Sequence, residues 1–314
     1  MRVTALLRTQ LLRPPHRGGT RCPCSRSREH SGLSRGAGWS GPPGPTREAR
    51  CMTTIVTWAG VDQRKVSSIY IASDSRVSWG NSHRWDQGRK TYAASREPYI
   101  FGYWGDVLFP SLALPTVMDQ LAAGLIRPSR PAFGEVENSI RHLWTDYPNQ
   151  ERRDFGIIMA SRQGESMEAV FELAIMTYEA TTATWDLREV QMPPSSARLH
   201  VAGTGARAVR VSEGLWEEST QSGTSRAVYG AFAEALAART DPYSGGGPQL
   251  VGLHRIGAGI RFGTFYRGSR YLAGACVSAE AARAARVAWF NERFERVDGP
   301  SGRRLPGAQR HRPR

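Results

Sequence analysis

Apolar runs long enough to cross a membrane are missing from this chain. No stretch approaches the roughly 18 consecutive apolar residues that a span requires, so no membrane partner is expected. Cysteine is scarce and poorly placed for a structural role. Of four cysteines, Cys22, Cys24 and Cys51 lie in or beside the N-terminal arm and Cys276 stands alone in the body. Cys22 and Cys24 have no second ligand pair to complete a zinc site, and no disulfide framework is readable. A reducing, cytoplasmic compartment is the expectation. His30, His83 and His142 show no metal-ligand spacing with acids or cysteines. His200 falls within a strand pattern and reads as a core residue. Gly203 and Gly205 lack the third glycine and the downstream acid of a dinucleotide site. No metal and no cofactor are expected.

Acidic residues are outnumbered, 28 against 42 Lys and Arg, for a net charge of +14. The excess is not spread evenly. Residues 1–51 hold ten arginines and two acids, Glu29 and Glu48, a balance of +8. Residues 300–314 hold five arginines and no acid, a balance of +5, which leaves +1 for residues 52–299. The body therefore has no electrostatic case for nucleic acid. A nucleic-acid or acidic-partner binder acting through its tails has the five-arginine tail as its main support.

The 314 residues, 40% hydrophobic and 22% charged, suffice for a sizeable core. Residues 1–52 are rich in Arg, Pro, Gly and Ser without apolar periodicity, and are expected to be a disordered arm. Three readings of the arm stand: a pro-segment cleaved before Thr53, a transit peptide, or translated upstream sequence with Met52 as the start. The small residue after Met52 favours the third. Residues 297–314 are expected to be a disordered basic tail.

Between them, residues 53–296 read as one domain. Strand patterns fall at 53–58, 67–72, 99–103, 155–160, 167–176, 181–190, 197–202, 250–256, 259–266 and 271–273. The first two form a hairpin across a connection at 59–66. Helical spacing falls at 112–125, 136–143, 206–219, 224–239 and 279–294. Strands and helices come in runs rather than alternating, which predicts an α+β fold with antiparallel sheets.

Four local motifs carry chemistry. Thr53-Thr54-Ile55-Val56 opens the body. Ala72-Ser73-Asp74-Ser75-Arg76 follows, with Lys90 sixteen residues after Asp74. Gly203-Thr204-Gly205 closes a strand. Asp241-Pro242-Tyr243-Ser244-Gly245-Gly246 comes last. Each alone has an ordinary explanation: a β-branched strand, a turn capped by its own side chains, a surface lysine, a helix cap at Thr204, a turn-rich loop.

In this order and spacing the set resembles the catalytic β-subunits of the proteasome and the related bacterial HslV peptidase, within the Ntn-hydrolase superfamily. The resemblance spans about residues 53–290. It implies a four-layer αββα sandwich of two antiparallel sheets between helical layers. It implies a threonine-type peptidase or amidohydrolase whose nucleophile is Thr53 once the preceding residues are removed. A threonine hydroxyl needs a nearby base, and a chain-terminal threonine brings its own α-amine, which titrates near neutral pH. Lys90 as ammonium would favour negative charge on the Thr53 oxygen, and Asp74 would hold Lys90 charged. By motif position, Thr204, Asp241 and Ser244 would hydrogen-bond the amine and its water. An oxyanion needs a preorganised N–H, for which Gly105 is the nearest candidate.

Two features depart from the family pattern. Gly102-Tyr103-Trp104-Gly105-Asp106 is shorter than the family's glycine-alanine run, and Trp104 is either a substrate-pocket or a core residue. The motif at Arg239 carries one inserted residue before Asp241. The resemblance also implies peptide or protein substrates, a homo-oligomeric ring that sequesters the sites, and an ATP-dependent unfoldase as a candidate partner. A noncatalytic ring subunit with a scaffolding or gating role is the alternative, favoured by the sequence that precedes the first strand.

Overall fold

The computed structural model describes residues 53–79, 83–127, 132–148 and 152–310. The arm at 1–52, with Cys22, Cys24, Cys51 and His30, lies outside them, as do residues 311–314.

The chain opens with β1 (Ile55–Val61) and β2 (Val66–Ser73), an antiparallel hairpin. Its strands run further than expected, so the turn is only 62–65. Asp62 closes it by accepting from the N–H groups of Arg64 and Lys65. A small hairpin, β3 (Val77–Trp79) and β4 (His83–Trp85), follows. Then come β5 (Thr91–Ala93), β6 (Tyr99–Gly105), α1 (Leu108–Ala122) and α2 (Gly134–Thr145). A second run of strands is β7 (Phe155–Gln163), β8 (Val170–Glu179), β9 (Thr184–Glu189) and β10 (Ala197–Ala202). Helices α3 (Ala206–Glu217) and α4 (Ser225–Ala238) precede β11 (Gln249–His254), β12 (Ile260–Tyr266), β13 (Ser269–Leu272) and β14 (Ala275–Val277). The chain ends with α5 (Ala279–Ala284), β15 (Trp289–Asn291) and β16 (Arg296–Val297).

These strands form a nine-stranded sheet with path β10-β1-β2-β11-β12-β13-β14, β15 and β16 branching from β12, and a five-stranded sheet β5-β6-β7-β8-β9. The described pairings are antiparallel except β12 with β15.

Strand alternation distributes the apolar side chains among separate cores. Ile55, Ile71 and Val251 of the large sheet meet Ile100, Ile158 and Leu173 of the small one. On the other face of the large sheet, Val56, Trp58 and Leu250 pack on Val209, Tyr229 and Phe232 of α3 and α4. On the outer face of the small sheet, Phe101, Ile157 and Met176 pack on Leu114, Val117, Ile140 and Trp144 of α1 and α2. Both faces of β1 are therefore covered, which is why its residues read as a continuous apolar run rather than an alternation. Burying each such side chain contributes roughly 1.5–3 kcal/mol. Among the described residues no helix is long and apolar enough to cross a membrane.

The C-terminal region departs from expectation. The helix predicted over 279–294 stops at Ala284, because Trp289 and Phe290 are taken up by parallel pairing to β12. Gly263 makes room for that: a Cβ there would lie 2.3 Å from the Trp289 ring. The segment from 297, expected to be a disordered basic tail, begins packed against the body. Val297 is buried, Leu305 N–H donates to the Arg296 carbonyl, and Arg270 Nε donates to Gly299 O at 2.8 Å.

Candidate functional site

β1 begins immediately after Thr53-Thr54, and Asp74 follows the last residue of β2, so hairpin register sets the two side by side. The Asp74 N–H donates to Thr54 O and the Thr54 N–H donates to Asp74 Oδ1, both at 3.0 Å. Lys90 arrives from the loop before β5 and donates through Nζ to the same Oδ1 at 2.7 Å. Both side chains of this ion pair are fully buried. Asp74 Oδ2 accepts from Gly245 N at 3.0 Å and Arg76 N at 3.1 Å. The carboxylate is thus held by three backbone N–H groups and an ammonium, a set that only an ionised acid can fully use. Burial pulls the Lys90 pKa below its ordinary 10.5, with attraction to Asp74 opposing.

Thr53 is itself fully buried. The Gly203-Thr204-Gly205 turn at the end of β10 holds its main chain: Gly205 N donates to Thr53 O at 3.3 Å. Gly203 adopts φ +87°, and a Cβ there would lie 2.0 Å from Thr53 O. Only glycine lets the two backbones approach this closely.

Thr204, Asp241 and Ser244 come together around one oxygen. Thr204 Oγ1 and Ser244 Oγ both donate to Asp241 Oδ2, at 2.6 and 2.5 Å. Ser244 Oγ also lies 2.5 Å from Thr54 Oγ1. The Tyr243 N–H donates to Asp241 Oδ1 at 3.0 Å. This second network lies beside Thr54 and joins the first through the Ser244–Gly245 segment. A groove of about 600 Å³ between α3 and α4 has Thr204 and Asp241 among its lining residues.

Gly105 and Trp104 sit differently. Gly105 ends β6 at φ +88°, pressed on β7, where a Cβ would lie 2.4 Å from Asp154 O. Trp104 is half-buried between the sheets, over Gly156, with its ring 5.0 Å from that of His200. Their described contacts are with β7 and β10 rather than with the Asp74–Lys90 pair. His200 is half-buried, and burial with nearby Arg188, Arg198 and Arg210 lowers its pKa to about 4.

Sequence reasoning missed two supports. Gln249, buried at the start of β11, accepts through Oε1 from Lys90 N at 2.9 Å. Its Nε2 donates to Asp74 O at 2.9 Å and Gly88 O at 2.8 Å. One carboxamide therefore ties together the backbones of both ion-pair partners. Arg76 makes a bidentate pair with Asp86, at 2.7 and 2.8 Å, and donates to the carbonyls of Pro242 and Ser244. It anchors the Asp241–Gly246 loop to the Asp74 turn. Replacing Gln249 with leucine takes the carboxamide partner from Gly88 O, Lys90 N and Thr91 N, while Asp74 O keeps the Ser73 hydroxyl. Urea denaturation of Gln249→Leu is expected to show a loss of about 2–3 kcal/mol.

No cluster of three or more His, Cys, Asp or Glu suited to a metal occurs among the described residues. No protein-family model matches the sequence, and no curated protein matches it. Solved structures with partial likeness include HslV from Trypanosoma brucei, 11% identical, TM-score 0.40, covering 64% of this chain and 99% of that one. The Anbu complex from Pseudomonas aeruginosa is 11% identical, TM-score 0.43, covering 66% and 86%. Anbu, the ancestral beta-subunit, from Yersinia bercovieri is 9% identical, TM-score 0.44, covering 67% and 86%.

Proposed function

We propose that this chain is an N-terminal threonine hydrolase of the proteasome-like Ntn class, built as an αββα sandwich and cleaving the amide bonds of peptides. The observation that carries the reading is Asp74 Oδ1, which accepts at once from the buried Lys90 ammonium and from the Thr53–Thr54 peptide. A surface turn has no use for a fully desolvated ion pair against one β-strand terminus; a nucleophile that develops negative charge does. Once the Met52–Thr53 bond is cut, the new α-amine takes the Thr53 hydroxyl proton as the oxygen attacks the substrate carbonyl. Lys90 stabilises the alkoxide character of that oxygen. The tetrahedral oxyanion is met by a backbone N–H, for which Gly105 is the candidate, and Trp104 is the candidate pocket wall. The α-ammonium returns its proton to the leaving amine, leaving an ester on Thr53 that water hydrolyses by the same route. Thr204, Asp241 and Ser244 orient the amine and its water. A homo-oligomeric ring would keep such a site from folded proteins, with an ATP-dependent unfoldase as feeder.

The second reading, a noncatalytic ring subunit, is favoured by one feature: with Met52 attached, the Thr53 nitrogen is an amide with no basicity. Intact mass and N-terminal sequencing of the protein isolated from its native source separate the two. The hydrolase reading expects a chain beginning at Thr53 and labelled there by an electrophilic threonine-directed probe. A chain that retains Met52 and resists the probe overturns it.

A further inference from the structure

The outer face of α3 is unlike an ordinary solvated helix surface. Its inner face is buried through Ala206, Val209, Ser212 and Trp216. Trp216 explains a glycine on the neighbouring helix, since a Cβ on Gly230 of α4 would lie 2.4 Å from its ring. Gly214, inside α3, has no such reason. A Cβ there would meet nothing within 4 Å, and glycine is among the poorest formers of a helix interior. Close by, Val211 and Leu215 are 65% and 46% exposed. Both line the groove of about 600 Å³ between α3 and α4, as do Ala208, Ala235 and Ala238.

The charges of α3 run against its own dipole. A helix favours acids in its first turn and bases in its last. The first turn of α3 has no acid and holds Arg207; its last turn has no base and ends on Glu217, with Glu218 as the C-cap. All three charged residues are exposed, and none forms an ion pair among the described residues. Arg207, Val211, Gly214 and Glu218 follow at steps of four, three and four residues, so they share one stripe along the helix. The stripe is symmetric about the midpoint between Ser212 and Glu213. Arg207 stands as far before that point as Glu218 stands after it, and Val211 as far before it as Gly214 after. Laid antiparallel on a copy of itself, the stripe sets Arg207 against Glu218 and Val211 against Gly214, each pairing occurring twice.

We propose that the outer stripe of α3 is a docking surface for a second copy of this chain, the two α3 helices packing antiparallel about a two-fold axis at that midpoint. Val211 of each protomer fills the space over Gly214 of its partner, where the missing Cβ lets the two helices approach closely. The charge order that opposes the dipole within one chain becomes complementary across the axis. Leu215 of each protomer flanks the contact on the side of the groove and is taken out of water. A self-complementary contact of this kind differs from the head-to-tail contacts that close a ring, so it does not depend on the chemistry proposed at Thr53. Thr204 and Asp241 line the same groove, so a seated partner borders the network beside Thr54.

The test is sedimentation velocity of the full chain over a concentration series. The wild type is expected to form a species of twice the mass that Gly214→Leu forms, whatever further assembly either enters. Gly214→Leu places a side chain where the partner helix must approach and weakens this association by about a hundredfold. Circular dichroism should show it folded, because leucine favours a helix and the space around Gly214 within one chain is open. Arg207→Glu and Glu218→Arg each set like charges together and weaken association by about tenfold, and the double variant Arg207→Glu/Glu218→Arg recovers wild-type association. That recovery is specific to an antiparallel pairing in this register. If the wild type sediments as Gly214→Leu does, the face serves something other than a second copy and the proposal fails. It fails equally if the single charge variants associate as tightly as wild type, or if the double variant recovers nothing.

Discussion

Asp74→Ala is expected to lower folding stability by about 3–5 kcal/mol, because it leaves a buried ammonium with no counter-charge. The loss falls on four donors at once: Lys90 Nζ and the N–H groups of Thr54, Arg76 and Gly245. Lys90→Met should cost less. It removes the desolvated cation, while Asp74 keeps three backbone donors, and the methionine stem occupies similar volume. In a double-mutant cycle the two losses should not add, since the second substitution removes the charge that made the first so costly. The pH dependence has a definite sign. Burial already depresses the folded-state pKa of Lys90 below 10.5, with Asp74 opposing. Between the folded and unfolded values the unfolded chain binds more protons, so Lys90's contribution to stability rises with pH in that window. Without Asp74 the depression deepens and the window extends to lower pH. Asp74→Ala should therefore regain stability as pH is raised from neutral toward 10.5, more steeply than wild type, while Lys90→Met should not. Urea denaturation across pH checks this. Lys65 and Lys90 are the only lysines in the chain, so labelled-lysine NMR would follow the titration directly. Equal losses for Asp74→Ala and Lys90→Met, with no pH-dependent recovery, would sink the idea of an ionised pair.

Much of this arrangement was legible because it is local or spaced along strands. Apolar stretches placed β1, β2, β6 to β8 and β10 to β12, and helical spacing placed α1 to α4 near their observed positions. Asp74 and Lys90 could be named only through the resemblance, since alone the first reads as a turn residue and the second as a surface lysine. What escaped notice depends on meetings between distant segments. Gln249 reads as one polar residue opening an apolar strand, and nothing local says that its carboxamide bridges Asp74, Gly88 and Lys90. Arg76 reads as part of a turn, although its fork joins Asp86 to the Ser244 loop. The alanine-rich stretch after Ser278 has helical spacing, yet its continuation pairs with β12, because tertiary contact outweighs a weak propensity. Trp104 illustrates the limit from the other side. Pocket and core both take an aromatic, and only the bare Cα of Gly156 opposite shows how its ring lies between the sheets.

Thr53→Ala should abolish hydrolysis, lowering turnover of amide substrates by on the order of 10⁴–10⁶, the range seen when a hydrolase loses its nucleophile. The protein should meanwhile stay folded. The main chain of Thr53 is held by the Gly203–Gly205 turn: Gly205 N donates to the Thr53 carbonyl, and the bare Cα of Gly203 lies against the same atoms. The Asp74–Lys90 pair is tied to the chain here through the Thr54 N–H. Removing one hydroxyl and one methyl should then change stability by about 1 kcal/mol, well below the Asp74→Ala effect. Separation of the two readouts is what makes the substitution informative: activity lost with stability kept marks chemistry, while joint loss marks structure. Thr53→Ser restores a hydroxyl on the same amine-bearing residue and should recover part of the rate, whereas Thr53→Val, with the right shape and no oxygen, should recover none. The assays must use chains confirmed by mass to begin at residue 53, because an uncut Met52 silences every variant equally. If Thr53→Ala so prepared still turns over a peptide-amide panel at the wild-type rate, the nucleophile lies elsewhere, and the buried pair beneath Thr54 serves only to hold the two sheets in register.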